Sequence, residues 1–325
     1  MSAFILRRVL QSAGVVMVMT LLVFFGVSVV GDPIDMFAPQ QCDQRCVDGL
    51  RRQFGLDRPI WEQYLVFLGN ALRGEMGTSF QFGLPALEVI LTRAPATLEL
   101  ASAAVLLAFV IGVPLGMWAG LRPDALSSRI VMTVSTVGFS VPTFWIGLIF
   151  IMVFALWLGW LPTTGRGATV SVLGIEWSFL TRDGLAHLVL PAMTLALFNI
   201  ALVIRLTRAG MREVLAADYV RYARAKGIAQ RRILLTHVLK NIMIPVVTVL
   251  GMEFGGTIAF AVVTETIFSW PGMGKLLIDA IEVLDRPLIV AYLVLVAVLF
   301  VAINLVVDIL YSVLDPRVRL GGRRQ

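Results

Sequence analysis

Residues 130–165 read IVMTVSTVGFSVPTFWIGLIFIMVFALWLGWLPTTG, and no Asp, Glu, Lys or Arg interrupts them. A helix rising 1.5 Å per residue crosses a ~30 Å hydrocarbon core in about 20 residues. This stretch is long enough to do so. Working outward, residues 9–31, 100–121, 184–204 and 287–307 are equally free of charge, and 241–264 is interrupted only by Glu253. Six such stretches predict an all-α membrane protein with six transmembrane helices. Composition agrees: 58% of the 325 residues are hydrophobic and 15% are charged, against roughly 25% charged in a soluble domain. The first stretch follows Arg7 and Arg8, as a signal peptide would. It exceeds the usual apolar run of a signal peptide, so an uncleaved first helix is expected.

Charge sets the expected orientation. A cytoplasmic N-terminus places 17 of the 27 Lys and Arg residues on that side, nine of them between Arg205 and Lys240. The short loops opposite carry two each, Arg166 with Arg182 and Lys275 with Arg286. Short loops decide orientation, whereas long stretches translocate largely regardless of charge. Both termini are therefore expected in the cytoplasm, and the net charge of +6 follows from topology. No basic stripe alternates with exposed aromatics on a soluble fold, so nucleic acid is not an expected partner. The chain divides into 1–31 (N-terminus and first helix), an external segment 32–95, a five-helix core 96–315 containing a cytoplasmic loop 207–241, and a cytoplasmic tail 316–325.

The external segment carries apolar residues at helical spacing from Trp61 to Leu72, which predicts a small helical cap. Both cysteines, Cys42 and Cys46, fall in it. In an oxidising compartment they pair or stay as free thiols; two soft ligands are too few for zinc. Gly112, Gly116 and Gly120, and likewise Gly251 and Gly255, repeat every four residues and read as packing faces between helices in lipid. Pro114 and Pro142 are expected to kink their spans. Between Trp160 and His187, turn residues bracket a short strand expected near 169–173. Glu253, deep in the fifth span, is either a channel-lining group or a carboxyl bonded to a neighbouring helix.

The loop 207–241 is the most informative. Asp218 is placed to cap a short helix that Gly227 ends, Ala223 and Ala225 keep part of that helix shallow, and a second helix is expected from Gln230 to Asn241. Asp218-Tyr219, then Ala223-Arg224-Ala225-Lys226-Gly227, followed by His237-Val-Leu-Lys-Asn241 and Pro245, resembles the coupling loop of the permeases of bacterial ABC importers, in the form found in the dipeptide, oligopeptide and nickel branch. The usual Glu-Ala-Ala-x3-Gly is reduced here to Ala223 and Gly227, a departure typical of that branch. Other motifs extend the resemblance along the chain: Leu6-Arg7-Arg8, Arg52 to Pro59, Gly74 to Ser79, Ala94 to Glu99, Glu265 to Gly274, and Leu314-Asp315-Pro316-Arg317. They look like the first permease subunit of the branch.

The resemblance implies a type I importer permease fold forming half of a translocation channel in the bacterial inner membrane. Its implied partners are a second homologous permease, two ATP-binding subunits, an extracytoplasmic solute-binding protein and membrane lipid. Asp218, Tyr219, Ala223, Arg224, Ala225, Lys226 and Gly227 are then the expected ATPase-coupling residues. The loop Phe268, Trp270, Pro271 and Gly272 is expected to touch the binding protein; an interfacial Trp at the lipid headgroups is the alternative. No catalytic or metal site is expected, and no cofactor in this chain, ATP and Mg belonging to the partners. Gly272-Met-Gly-Lys275-Leu276 fails as a phosphate loop, because that motif needs a Gly at 269 and a Ser or Thr at 276. An ion-coupled secondary transporter is the competing reading; it would show internal repeats and several intramembrane charges.

Overall fold

Backbone N–H and C=O groups cannot stay unpaired in hydrocarbon, so a chain this apolar crosses it as helices. The computed structural model describes residues 2–30, 44–53 and 55–314. In chain order its helices are α1 (Ser2–Val30), α2 (Gln44–Gln53), α3 (Ile60–Ala71), α4 (Ala86–Leu121), α5 (Leu126–Ser140) and α6 (Thr143–Trp157). After the strands β1 (Val170–Val172) and β2 (Ile175–Trp177) come α7 (Arg182–Ala216), α8 (Asp218–Ala225), α9 (Gln230–Ile267), α10 (Met273–Glu282) and α11 (Arg286–Leu314). Helices α1, α4, α7, α9 and α11 are each long and apolar enough to cross a membrane. The expected pairing of Cys42 lies outside the described residues.

The third span departs from a simple kink. Helices α5 and α6 meet at 108°. Val141 is extended (φ −86°, ψ 133°) and Pro142 starts the next helix. Proline's ring clashes with a helical residue before it, so Val141 leaves the helix and the chain turns. Pro142 therefore breaks the span outright.

The chain forms two compact units: residues up to 97 with 271–302, and residues 98–270 with 303 onward. In the second unit the glycine ladder of α4 meets α7. A Cβ on Gly112, Gly116 or Gly120 would lie 2.8, 2.6 or 2.5 Å from the Cβ of Val203, Thr207 or Met211. Glycine alone permits this approach, and close backbone packing is what drives helix association in lipid. Both ladders ascend together in number, so α4 and α7 run parallel. A parallel pair requires the intervening chain to cross back once. The bent α5–α6 pair supplies that crossing, which gives six spans among the described residues.

Between α6 and α7 the expected strand is one arm of a hairpin. Val170 pairs with Trp177, Ser171 with Glu176 and Val172 with Ile175. Leu173 (φ 55°) and Gly174 (φ 78°) form the two-residue turn, whose positive φ values match the twist of the flanking strands.

In the first unit the cap expected from Trp61 to Leu72 is helical, as α3. Tyr64 of α3 packs edge-on against Phe24 of α1 (5.5 Å), and its hydroxyl lies 3.1 Å from Thr20 Oγ1. The segment before α4 is held by Asp285, whose Oδ2 accepts from Ser79 Oγ (2.5 Å) and the Gln81 N–H (3.1 Å). Helix α10 starts at Gly272, and the Met273 N–H donates to Thr97 Oγ1 (2.8 Å).

Candidate functional site

The loop expected over 207–241 is mostly helix. Helix α7 continues past its apolar part to Ala216, and the helix expected over Gln230–Asn241 is the start of α9, which runs unbroken to Ile267 through a π-helical stretch at Ile233–Val238. What remains as an insertion is Ala217 to Ala229, with α8 at its centre. Ala217, extended at φ −67° and ψ 145°, occupies the cap position; Asp218 is the first helical residue and makes no cap bond. Its carboxylate still favours the helix N-terminus, where the dipole is positive. The C-terminal end matches expectation. Gly227 has φ 74°, its N–H donates to the Arg224 carbonyl, and the Ile228 N–H donates to the Ala223 carbonyl. This is the Schellman arrangement, which needs a left-handed residue at the glycine.

Burial shows which face of α8 is which. Val220 and Ala223, three apart and on one face, are buried at 0% and 7% exposure; Ile233 and Val238 of α9 are fully buried too. Asn241 of α9 donates through Nδ2 to Tyr219 Oη (2.8 Å). Gly210 of α7 brings that helix against Ile242 of α9, where a Cβ would sit 3.3 Å from Cγ1. Helix α8 is thus seated on the bases of α7 and α9. Tyr222 (63% exposed), Arg224, Ala225 and Lys226 face outward, and Lys226 Nζ lies over the Tyr222 ring at 4.7 Å. This corrects the expectation that Ala223 shares the shallow outer face: it faces inward, and Ala225 supplies that surface alone. Asp218 is almost fully exposed, with Arg221 at 3.7 Å.

Higher on the same two helices, Asn199 Nδ2 of α7 donates to Thr257 Oγ1 of α9 (3.0 Å), and Thr257 Oγ1 donates to the Glu253 carbonyl (2.8 Å). Because that hydroxyl proton is used, Thr257 must accept from Asn199, which fixes the amide. Its Oδ1 is buried without a partner. Glu253 is half-buried, one turn from Thr257.

The region around Phe268 corrects a second expectation. Phe268 is 2% exposed and Trp270 is 0% exposed, so neither ring offers surface to another protein. The Phe268 carbonyl accepts from the Gly165 N–H (2.8 Å), and a Cβ on Gly147 would lie 3.3 Å from the Phe268 ring. The Arg166 guanidinium stands 5.8 Å from the Trp270 ring centroid. Pro271 is half-buried and Gly272 buried.

Arg166 leads to Glu99, which closes the Ala94–Glu99 motif and had no role assigned from sequence. Glu99 is buried, and Arg166 donates to its Oε2 through Nε (3.1 Å) and Nη2 (2.6 Å). Oε1 accepts from the Ser178 N–H (2.9 Å), Ser178 Oγ (2.8 Å) and the Phe179 N–H (2.7 Å). One carboxylate thereby ties the hairpin segment to α4. A carboxylate directly beside a charge-free stretch was the available signal.

Residues 112–320 match the family described as "Binding-protein-dependent transport system inner membrane component", and residues 1–101 match the model of the corresponding N-terminal region. The chain is 41% identical over 333 residues to the di/tripeptide transport system permease protein DppB of Pseudomonas aeruginosa (strain UCBPP-PA14), covering 98% of this chain and 99% of that one. It is 39% identical over 320 residues to the oligopeptide transport system permease protein AppB of Bacillus subtilis (strain 168), with coverage of 98% and 99%. Against the glutathione transport system permease protein GsiC of Escherichia coli (strain K12) it is 35% identical over 317 residues, with coverage of 97% and 98%. A solved chain of the MetNI methionine ABC transporter, in an inward-facing conformation, superposes with a TM-score of 0.54 at 15% identity, covering 70% of this chain and 97% of that one. The last likeness is one of fold. The sequence likeness is carried by the length of the chain rather than by one motif, and it makes this chain a member of the binding-protein-dependent inner membrane component family, the multi-pass permeases of ABC importers.

Proposed function

We propose that this chain forms half of the channel of an ATP-driven importer of peptides or peptide-like solutes, paired with a second, homologous permease. Two ATP-binding subunits, which hold ATP and Mg, dock from the cytoplasm, and a solute-binding protein delivers the substrate from outside. The chain itself performs no catalysis. Both termini face the cytoplasm, which places α8 and its basic neighbours on the side where ATP is found. The apolar surface of the spans is solvated by lipid.

The observation that carries this reading is the seating of α8. Val220 and Ala223 hold it to the chain while Tyr222, Arg224, Ala225 and Lys226 stand outward. An ATPase groove that receives the outer face and closes around ATP displaces α8 as a body. The inward residues and the Asn241–Tyr219 bond pass that displacement to α7 and α9. Those helices carry Asn199, Thr257 and Glu253, so a motion at α8 rearranges polar groups at mid-membrane. ATP binding then biases a two-state element, as differential contacts require. Glu253 lines the channel in this account, and its carboxylate attracts the ammonium end of a peptide. The peptide class rests on the names of the full-length relatives.

The test is uptake by the reconstituted four-subunit complex with its binding protein in sealed vesicles. Labelled di- or tripeptide should accumulate only with hydrolysable ATP inside the ATPase-facing compartment, and should be indifferent to a protonophore. Uptake driven by a proton or sodium gradient without ATP contradicts the reading and favours the ion-coupled alternative.

A further inference from the structure

The unit formed by residues up to 97 and 271–302 holds a cavity of ≈ 480 Å³. Part of its lining is apolar: Phe24 of α1, Phe67 of α3 and Val290 of α11. The polar part brings Arg52, Arg58 and Arg286 together with one acid, Glu75, so the lining is net positive.

Both parts are held by contacts within the unit. Phe24 packs against Tyr64 and Phe67 at ring distances of 5.5 and 5.4 Å. Gln63 Nε2 donates to the Arg58 carbonyl (2.8 Å), holding the turn that presents Arg58. The Arg286 guanidinium lies 5.5 Å from the Phe24 ring centroid, so charge and apolar lining adjoin. Position adds a further constraint. Phe24 stands near the end of the apolar stretch Arg7–Val27, and Val290 near the start of Arg286–Ile309. The cavity therefore straddles the level at which hydrocarbon gives way to headgroups, where arginines meet lipid phosphate.

A ligand matching both halves carries a phosphate anion joined to an alkyl chain. We propose that this cavity binds an anionic phospholipid, its phosphate held by Arg52 and Arg58 and its acyl chain lying against Phe24, Phe67 and Val290. A free phosphate ester shares the anionic chemistry but leaves the apolar lining bare.

The test uses the whole transporter complex in nanodiscs, with phosphatidylglycerol and phosphatidylcholine analogues bearing a photoreactive acyl chain and peptide mapping of the products. The phosphatidylglycerol analogue should label peptides containing Phe24 or Phe67, and unlabelled phosphatidylglycerol should compete. In the double variant Arg52→Gln, Arg58→Gln that labelling should fall about tenfold, each basic side chain contributing appreciably to anionic-lipid attraction, with melting temperature unchanged. Val66→Trp, which fills the cavity from its apolar side without removing charge, should also suppress labelling. Equal labelling by the phosphatidylcholine analogue, or labelling unchanged in both variants, overturns the proposal. So does competition by soluble glycerol phosphate as effective as that by the lipid, which would assign the site to a free phosphate ester.

Discussion

The two ends of α7 are built on opposite principles. Near its start, a single buried carboxylate, Glu99, takes five donors from Arg166, Ser178 and Phe179, and Trp270 is sealed beneath Arg166. Past its last residue, α8 is held by Val220, Ala223 and the Asn241–Tyr219 bond, and its charged groups are left facing out. The first end resists rearrangement because every donor lost leaves a desolvated partner behind. The second has fewer such attachments, and a Schellman turn fixes its internal geometry, so motion as a unit is what the proposed coupling requires of it. The proposed coupling needs both a fixed part and a handle, and α7 joins them.

Substitutions at the fixed end should have the largest effects. Glu99→Ala strands the nearly buried Arg166 (12% exposed) and should cost about 3–5 kcal/mol, as expected for a broken buried pair. Thermal unfolding of the purified complex measures it; a melting temperature equal to wild type would show that this end is not held by Glu99. Trp270→Ala opens a cavity and should cost about 3–5 kcal/mol by the same assay. Full stability with impaired response to the binding protein would restore Trp270 to a surface role. Gly116→Leu drives atoms into Thr207 and should cost about 1–3 kcal/mol from overpacking, read as lost yield of folded protein. At the handle, Asn241→Ala removes two exposed hydrogen bonds, to Tyr219 Oη and to the His237 carbonyl. It should cost about 1 kcal/mol or less, leaving assembly intact while lowering the transport supported by each ATP hydrolysed. An effect there as large as that of Glu99→Ala would erase the contrast.

Much of this was legible in the sequence. Charge-free stretches located the spans, because hydrocarbon excludes charge wherever helices cross it. Gly112, Gly116 and Gly120 announced a packing face by spacing alone, and Gly227 announced its left-handed turn. The depth of the break at Pro142 was not legible, since a proline within an apolar run permits either a kink or a full turn. Nor was the continuation of α7 to Ala216 legible: Arg208, Arg212 and Glu213 sit on a helix that has left the hydrocarbon, where polarity no longer distinguishes helix from loop. The orientation of α8 was hidden for a different reason. Ala223 and Ala225 are equally small, and only packing against Ile233 and its neighbours decides which one faces inward. The role of Glu99 was not legible because its partners lie 67 to 80 residues away.

In the proposed function, the outer face of α8 couples ATP hydrolysis to the channel. Ala225→Trp adds bulk to that face without touching the buried seat of Val220 and Ala223. The measurement is ATP hydrolysis by the reconstituted complex, with and without the loaded binding protein. Normal insertion and assembly of the spans are expected, with stimulation by the binding protein reduced at least tenfold. Stimulation at the wild-type level in correctly assembled Ala225→Trp complexes would contradict this coupling.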